Sequence, residues 1–321
     1  MNSRHLLLMM ASLSAAAPAV HAAYPEKAIR IIVPYPPGGN IDITARAIAP
    51  GLTDALGQQI VIDNRGGAGG TIGAELAAKA APDGYTTVLG STGTLTTAPA
   101  LYPRLGYDPV RDFATTSLVS SVPLVMVIHP SVPAKNVKEF IAIAKSRPGR
   151  ITMASAGSGT TNHLSGELFQ SASGTKMIHI PYKGSGPALI DLMGGQVDVH
   201  FDQLSSSIGF IQSGKLRAIA VTTLKRSAQM PEIPTMNESG LPGFDASTFT
   251  GIVLPAATPR DVVTKLHAAL IKVLRSKATR DSFARFGADV LESTPEEFSR
   301  FIRADLAKWS KVVREAGIKL E

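Results

Sequence analysis

The sequence predicts an α/β protein built in two lobes, and three observations carry that expectation. Short apolar runs alternate with helical patterns through the first third of the chain, the order that gives a parallel sheet with helices on its faces. A second alternation of similar size follows from about residue 117. The 321 residues suffice for two compact domains, and 44% hydrophobic against 18% charged residues is a globular balance.

The chain opens "MNSRHLLLMMASLSAAAPAVHAAYPEKAIR". Arg4 and His5 form a short basic region, an apolar stretch follows, and Val20-His21-Ala22 has the small-x-Ala form of a cleavage signal. We therefore expect residues 1–22 to be a signal peptide cut after Ala22, too short in its apolar part to serve as an anchor, and the mature protein to be exported. Ile29–Val33 is an apolar strand interrupted by Arg30. Residues 42–56 place Ile43, Ala47, Ile48 and Leu52 at helical spacing, and Pro50 is expected to kink or restart that helix. Strand 60–62, an Ala-rich helix over 71–81 stopped by Pro82-Asp83-Gly84, and strand 86–89 complete the first series.

The second series begins with a long extended run, "SLVSSVPLVMVIHP". A helix capped by Asn136 with Glu139 follows. Strand "ITMAS", helix "HLSGELFQSASG", strand "MIHIPY", helix "PALIDLMGG" and strands "QVDVHFD" and "LRAIAVTT" come next. The C-terminal part is helical. Val262, Leu266, Leu270, Val273 and Leu274 share one face. A capping box from Thr294 to Glu297, with Pro295 at the first helical position, opens a last helix whose buried stripe reads Phe298, Phe301, Ile302, Trp309 and Val313. The single Trp is thus expected in the core.

Composition excludes several classes. With no cysteine there is no disulfide, thiol catalysis, Cys-based zinc site or acylated lipoprotein anchor. His129, His163, His179, His200 and His267 show no metal-ligand spacing, and no metal or cofactor is expected. Loss of the leader removes one Arg and no acid, so 31 basic residues face 25 acids, a net +6. The basic residues are dispersed and aromatics are 6%, which suits small anionic ligands better than nucleic acid.

Three loops at strand ends carry the candidate chemistry. In "VPYPPGGNIDITAR" a rigid, glycine-bearing turn leaves the first strand. Asn40 can cap the following helix and Asp42 sits in its first turn. Such helix starts bear unpaired N–H groups and attract anions. "SAGSGTTNH" repeats the arrangement in the second series, and "GSTGTLTT" follows the third strand. The glycine-rich "GGAGGTIG" lacks the spacing of a dinucleotide fingerprint and reads as close helix–strand packing. Ser158 lacks a G-x-S-x-G setting, and His163 is poorly placed to act as its base. Asp202 ends a strand, where it can face the cleft or accept only from neighbouring groups.

Together with "DNRGGAGGTIGAE", "HIPYKGSGPALIDLMGGQVDVHFD" and "GKLRAIAVTT", these blocks resemble, in order and over the whole mature chain, the Bug family of periplasmic substrate-binding proteins of the tripartite tricarboxylate transporter, or TctC, type. The resemblance implies a two-lobed type II periplasmic-binding-protein (Venus-flytrap) fold and no enzymatic activity. It implies one domain of residues 23–122 plus 250–321 and a second of residues 123–249. It also implies a ligand carboxylate gripped by backbone amides and hydroxyls of Tyr35, Gly38, Gly39 and Asp42 on one lobe, and of Ser155, Gly157, Ser158, Gly159, Thr160 and His163 on the other. Thr92 and Thr94 match a further cleft loop, and Asp202 matches a position facing the ligand's distal end. Gln203 and Ser205 stand where relatives often carry Asn and Pro, and Tyr35 where they often carry Phe. The implied partners are transporter subunits of the membrane. The alternatives are a sensor kinase to which the ligand is presented, or a hydrolase using Ser158. A monomer is expected.

Overall fold

Four of the five residues of β1 (Ile29–Val33) are buried, and the exception, Arg30, pairs with Asp63 on β2 (Ile60–Asn64). The computed structural model that shows this describes residues 24–102, 104–315 and 317–318, so the expected leader and its cleavage point lie outside the described residues. β1 runs parallel to β2 on one side and to β3 (Thr86–Ser91) on the other. Helices α1 (Asn40–Leu56) and α2 (Thr71–Ala78) make the connections. α1 is a single helix through Pro50, without the expected restart. Pro50 is exposed, so the missing donor leaves its acceptor to water, and burial of Ile41, Ala45, Ile48 and Leu52 outweighs the local cost. Ile43, expected on the buried face, is half-exposed because the stripe is centred on Ile41 and Ala45. The glycine-rich segment is close packing: a Cβ on Gly73 would lie 2.6 Å from the Arg65 carbonyl oxygen and 2.8 Å from the Pro34 Cα. α3 (Ala98–Leu101) follows a π-helical turn over Gly93–Thr97.

The two halves meet on β4 (Phe113–Ile128). Its first part pairs with β9 (Ser247–Pro255), which itself pairs with β3. From Leu124 onward the same strand pairs with β7 (Val199–Gln203) and β8 (Arg217–Val221) instead. β7 continues to β5 (Thr152–Ser155) and β6 (Ile178–Pro181), both parallel to it in sense. A single path, β2-β1-β3-β9-β4-β7-β5-β6, therefore crosses both lobes, with β8 and the short β10 (Asp289–Val290) also on β4.

Second-lobe helices cover this sheet: α4 (Val137–Ser146), α5 (Thr161–Ser173), α6 (Ser185–Met193) and α7 (Leu204–Gln212). Asn136 caps α4 as expected, its Oδ1 accepting from the Glu139 N–H at 2.9 Å. α8 (Arg260–Arg275) and α9 (Lys277–Arg285) cover the first lobe, and the predicted face of α8 is buried. α10 (Pro295–Glu315) opens with the predicted capping box, in which Thr294 and Glu297 bond reciprocally at 3.1 and 2.8 Å. Its Phe298 and Ile302 pack with Ile32 and Val88, whereas Trp309, Val312 and Val313 join the cluster of Phe140, Phe169 and Phe201. One helix thus roots in both cores. Phe301, expected in the stripe, is 36% exposed and sets its ring against Phe249 instead. No helix among the described residues is long and apolar enough to cross a membrane.

Trp309 is fully buried, with its indole N–H on Asp305. Trp309→Ala should cost about 3–5 kcal/mol of stability in urea denaturation, whereas Ile190→Ala, at a 65% exposed position, should change it by less than about 0.5 kcal/mol. Equal effects would contradict the packing described.

Candidate functional site

Strand register brings the candidate loops to one place. β3 ends at Ser91, opposite Thr250, which faces Ser120 on β4. β7 ends at Gln203, opposite Leu124 on the same strand. Only four positions of β4 separate the levels at which the two lobes' strands end. β1 leaves the sheet beside β3, and β5 leaves it beside β7. The loops after all four strands therefore issue from carboxyl ends at the lobe crossover, where open α/β sheets bind ligands. Cavities of about 420 and 290 Å³ lie elsewhere, one beside Tyr102, Asp108 and Arg111 and one beside Thr115 and Arg260. They contain none of the candidate residues of the strand-end loops.

In the first loop Gly38 adopts φ +84°, a left-handed conformation natural to glycine. Its N–H donates to Asp42 Oδ2 at 2.9 Å. Asp42 also accepts from Arg46 Nε at 2.9 Å and from Asn64 Nδ2 at 3.0 Å, and is 2% exposed. Burial pushes its carboxyl up, but these bonds win and hold it below the usual range. Gly38 and Asp42 thus bond each other rather than offering free groups. Gly39, extended at φ −80° and ψ 168°, is the residue before the helix, and Asn40 is already helical and does not cap it. Both polar atoms of Asn40 are instead buried without a partner. The first-turn N–H groups of α1 have no intrahelical acceptor. Tyr35 joins this loop to the next: its hydroxyl lies 3.0 Å from Ser91 Oγ and fills the space a side chain on Gly93 would need. Burial pushes its hydroxyl up to about 12, so it stays neutral.

Thr92 and Thr94 are fully buried and engaged internally. Thr92 Oγ1 accepts from the Phe249 N–H at 2.9 Å, tying the loop to β9, and Thr94 Oγ1 accepts from the Ser91 N–H at 3.0 Å. Thr96, in the π turn, donates to Asp305 on α10 at 2.8 Å.

In the second lobe Ser155 is buried, with Oγ 2.6 Å from His179 Nε2 and accepting from the Gly157 N–H at 3.1 Å. Gly157 has φ +138°, outside the reach of other residues. The Gly159 N–H donates to His163 Nδ1 at 3.1 Å, which makes Nε2 the protonated nitrogen, 3.5 Å from Glu167. The His163 ring stacks on His179 at 3.7 Å. Thr160 caps α5, its hydroxyl donating to the Gly157 carbonyl at 2.7 Å. Gly157, Gly159 and Thr160 therefore spend their bonds inside the loop. Ser158 is exposed and has no imidazole to activate it, because His163 Nδ1 is taken by Gly159. The second lobe offers Ser158 and the unpaired N–H groups that begin α5.

Asp202 is fully buried. It accepts from Ser185 at 2.6 Å, Ser207 at 2.7 Å and Asn162 at 3.3 Å, so it ties the starts of α5, α6 and α7 to the end of β7. His200 donates from Nδ1 to the Ala154 carbonyl and places Nε2 3.3 Å from Asp202. Burial pushes the Asp202 carboxyl up, but His200 and the two hydroxyls hold it below its ordinary value. Both oxygens of Asp202 thus accept from groups within the protein. Sequence reasoning missed the polar atoms left unpaired at the crossover, namely the Asn40 amide, Ser205 Oγ and Thr248 Oγ1. Buried polar groups in native structures find partners. The available signal was position alone: Asn40 opens the helix after β1, Ser205 follows the end of β7, and Thr248 lies at the start of β9.

The sequence profile described as "Tripartite tricarboxylate transporter family receptor" matches residues 44–318. The chain is 40% identical to the protein BugT of Bordetella pertussis, over the full length of both. Among solved structures, Rpa4515 of R. palustris with adipate superposes with a TM-score of 0.87 at 35% identity, covering 92% of this chain and 99% of that one. MatC (Rpa3494) from Rhodopseudomonas palustris with bound malate superposes with a TM-score of 0.83 at 33% identity, covering 90% and 100%.

Burial, and then His163, lower the His179 imidazole from 6.5 to about 4. Between those values the unfolded chain takes up a proton that the folded chain refuses. This contribution to stability is intact above about pH 6.5 and is lost progressively as the pH falls toward about 4. Melting temperatures followed from pH 7.5 to 4 should show the decline, and His179→Gln, which can still bond Ser155, should flatten it. An unchanged slope in that variant would remove His179 from this role.

Proposed function

This chain belongs to the tripartite tricarboxylate transporter family of receptors, and on that premise we propose that it is a periplasmic binding protein for a small aliphatic carboxylate, dicarboxylates foremost, which it hands to membrane subunits of that transporter type. We assign residues 23–122 with 250–321 to one lobe and 123–249 to the other, hinged where β4 exchanges partners between Pro123 and Leu124. The C-terminal half of α10 reaches into the second core. The observation that supports the reading is the register of the strands: β1 and β3 in one lobe, and β5 and β7 in the other, end toward the crossover, and α1 and α5 begin after the loops that follow β1 and β5. A carboxylate between the two helix starts satisfies N–H groups of both, and closure excludes water and strengthens each bond. The unpaired Asn40, Ser205 and Thr248 suit the remaining oxygens of a dicarboxylate. Adipate in one relative and malate in another support the ligand class. Receptor function needs no covalent step.

In this reading Gly38, Asp42, Thr92, Thr94, Gly157, Gly159, His163 and Asp202 shape the cleft, while Gly39, Ser158 and the helix starts touch the ligand. Gly39 separates these roles. Its φ of −80° suits proline, and a Cβ there meets nothing closer than 3.8 Å. Calorimetry with adipate, malate and shorter dicarboxylates should find a ligand whose affinity survives Gly39→Ala. Gly39→Pro, which removes one charge-facing donor, should weaken it about tenfold or more. Equal affinities in the two variants, or no carboxylate bound by the folded protein, would overturn the proposal. Ser158→Ala should weaken binding less than Gly39→Pro, since the hydroxyl adds to a grip that the helix starts hold.

A further inference from the structure

The pole of the second lobe opposite the strand-end loops gathers basic residues that lie apart in sequence. Lys145 is in the last turn of α4 and Arg147 caps its end. The Arg150 N–H donates to the Arg147 carbonyl at 3.1 Å, and the Gly149 N–H donates to the Lys176 carbonyl at 2.9 Å. Lys145 Nζ approaches within 3.9 Å of the Cβ position of Gly174, two residues before Lys176. All four basic residues are exposed. None forms an ion pair among the described residues. The nearby acid, Asp198, spends Oδ2 on the backbone and hydroxyl of Thr152. From residue 140 to 190 the chain carries five Lys or Arg and one acid, Glu167. Ile178, 46% exposed, opens the edge strand β6 two residues after Lys176.

Cations near helix ends offset the helix dipole, a role open to Lys145 and Arg147 but not to Arg150 and Lys176, which lie outside the helices. We propose that this pole docks on the surface of an anionic phospholipid bilayer. A protein partner would call for a packed apolar centre of several residues, and the patch holds a single exposed aliphatic side chain. A lipid surface asks only for unpaired cations on long stems and a shallow apolar anchor. Because β5, β6 and β7 run in the same sense, the patch at their amino ends is far from the cleft loops at their carboxyl ends. Lipid contact therefore leaves the cleft open while confining the receptor to the plane of its membrane partner. This inference goes beyond the ligand reading and does not depend on it.

Flotation of the purified protein with phosphatidylglycerol–phosphatidylethanolamine vesicles tests it against vesicles of phosphatidylcholine. Binding should favour the anionic vesicles and fall steeply between low salt and half-molar sodium chloride. Each cation near the surface contributes about fivefold to partitioning. Arg147→Gln with Arg150→Gln, or Lys145→Gln with Lys176→Gln, should thus lower partitioning about tenfold or more. The conservative pair Arg147→Lys with Arg150→Lys should retain it. Lys265→Gln with Lys272→Gln, which removes the same charge from exposed positions on α8, should leave it unchanged. Equal binding to neutral vesicles, insensitivity to salt, or equal losses from the α8 pair would overturn the proposal. Ligand calorimetry on the same variants keeps this outcome separate from failure of the carboxylate reading.

Discussion

Everything in this molecule is referred to one strand. The sixteen residues of β4 serve both lobes, first beside β9 and then, past Pro123, beside β7 and β8. A β-ladder fixes register along a strand, because a slip of one residue turns every side chain to the wrong face. Sharing a strand therefore locks the axial positions of the two lobes while leaving their relative angle soft. Proline stands at the changeover, where a missing N–H is tolerated because the ladder changes partner there. Thr222 reinforces the junction, its N–H donating to the Leu124 carbonyl and its carbonyl accepting from the Ala246 N–H.

The strand-end loops rest on buried polar ties. Asp42 holds the first loop, Thr92 fastens the third to the return strand, and Ser155 with His179 holds the second. Asp202 gathers three helix starts around one carboxylate. Each tie has its bonds filled within the protein, so the loops are held before any ligand arrives and little ordering remains to be done on binding. This accounts for the residue types: Asp, Thr and Ser appear in these strand-end loops because they are side chains that can bond neighbouring backbone.

Local signals made much of this legible beforehand. The apolar periodicity located nearly every strand and helix, and the Asn136 and Thr294 caps were readable because capping depends on residues three apart. Pro50 misled because its local penalty is smaller than the burial of the α1 face. The roles of Gly38, Gly159 and Asp202 were not legible from motif alone. Whether an N–H or carboxylate is free depends on partners such as Asp42, His163 or Ser207, and orientation is not written in spacing. The same holds for the basic pole: charges that look scattered along the chain converge only once α4, β5 and β6 are laid side by side.

One consequence follows from the path of α10. It carries the protein's single tryptophan, rooted among second-lobe aromatics, on a helix that begins in the first lobe and is pinned to the third loop through Asp305 and Thr96. The ammonium of Lys308 stands 4.8 Å from the indole ring. Lys308 and Asp305 share this helix and pair with each other, so these charges travel with the indole, and its emission reports on the packing of the second core around it. Loss of that core is therefore readable in unlabelled protein from the intrinsic fluorescence of one residue.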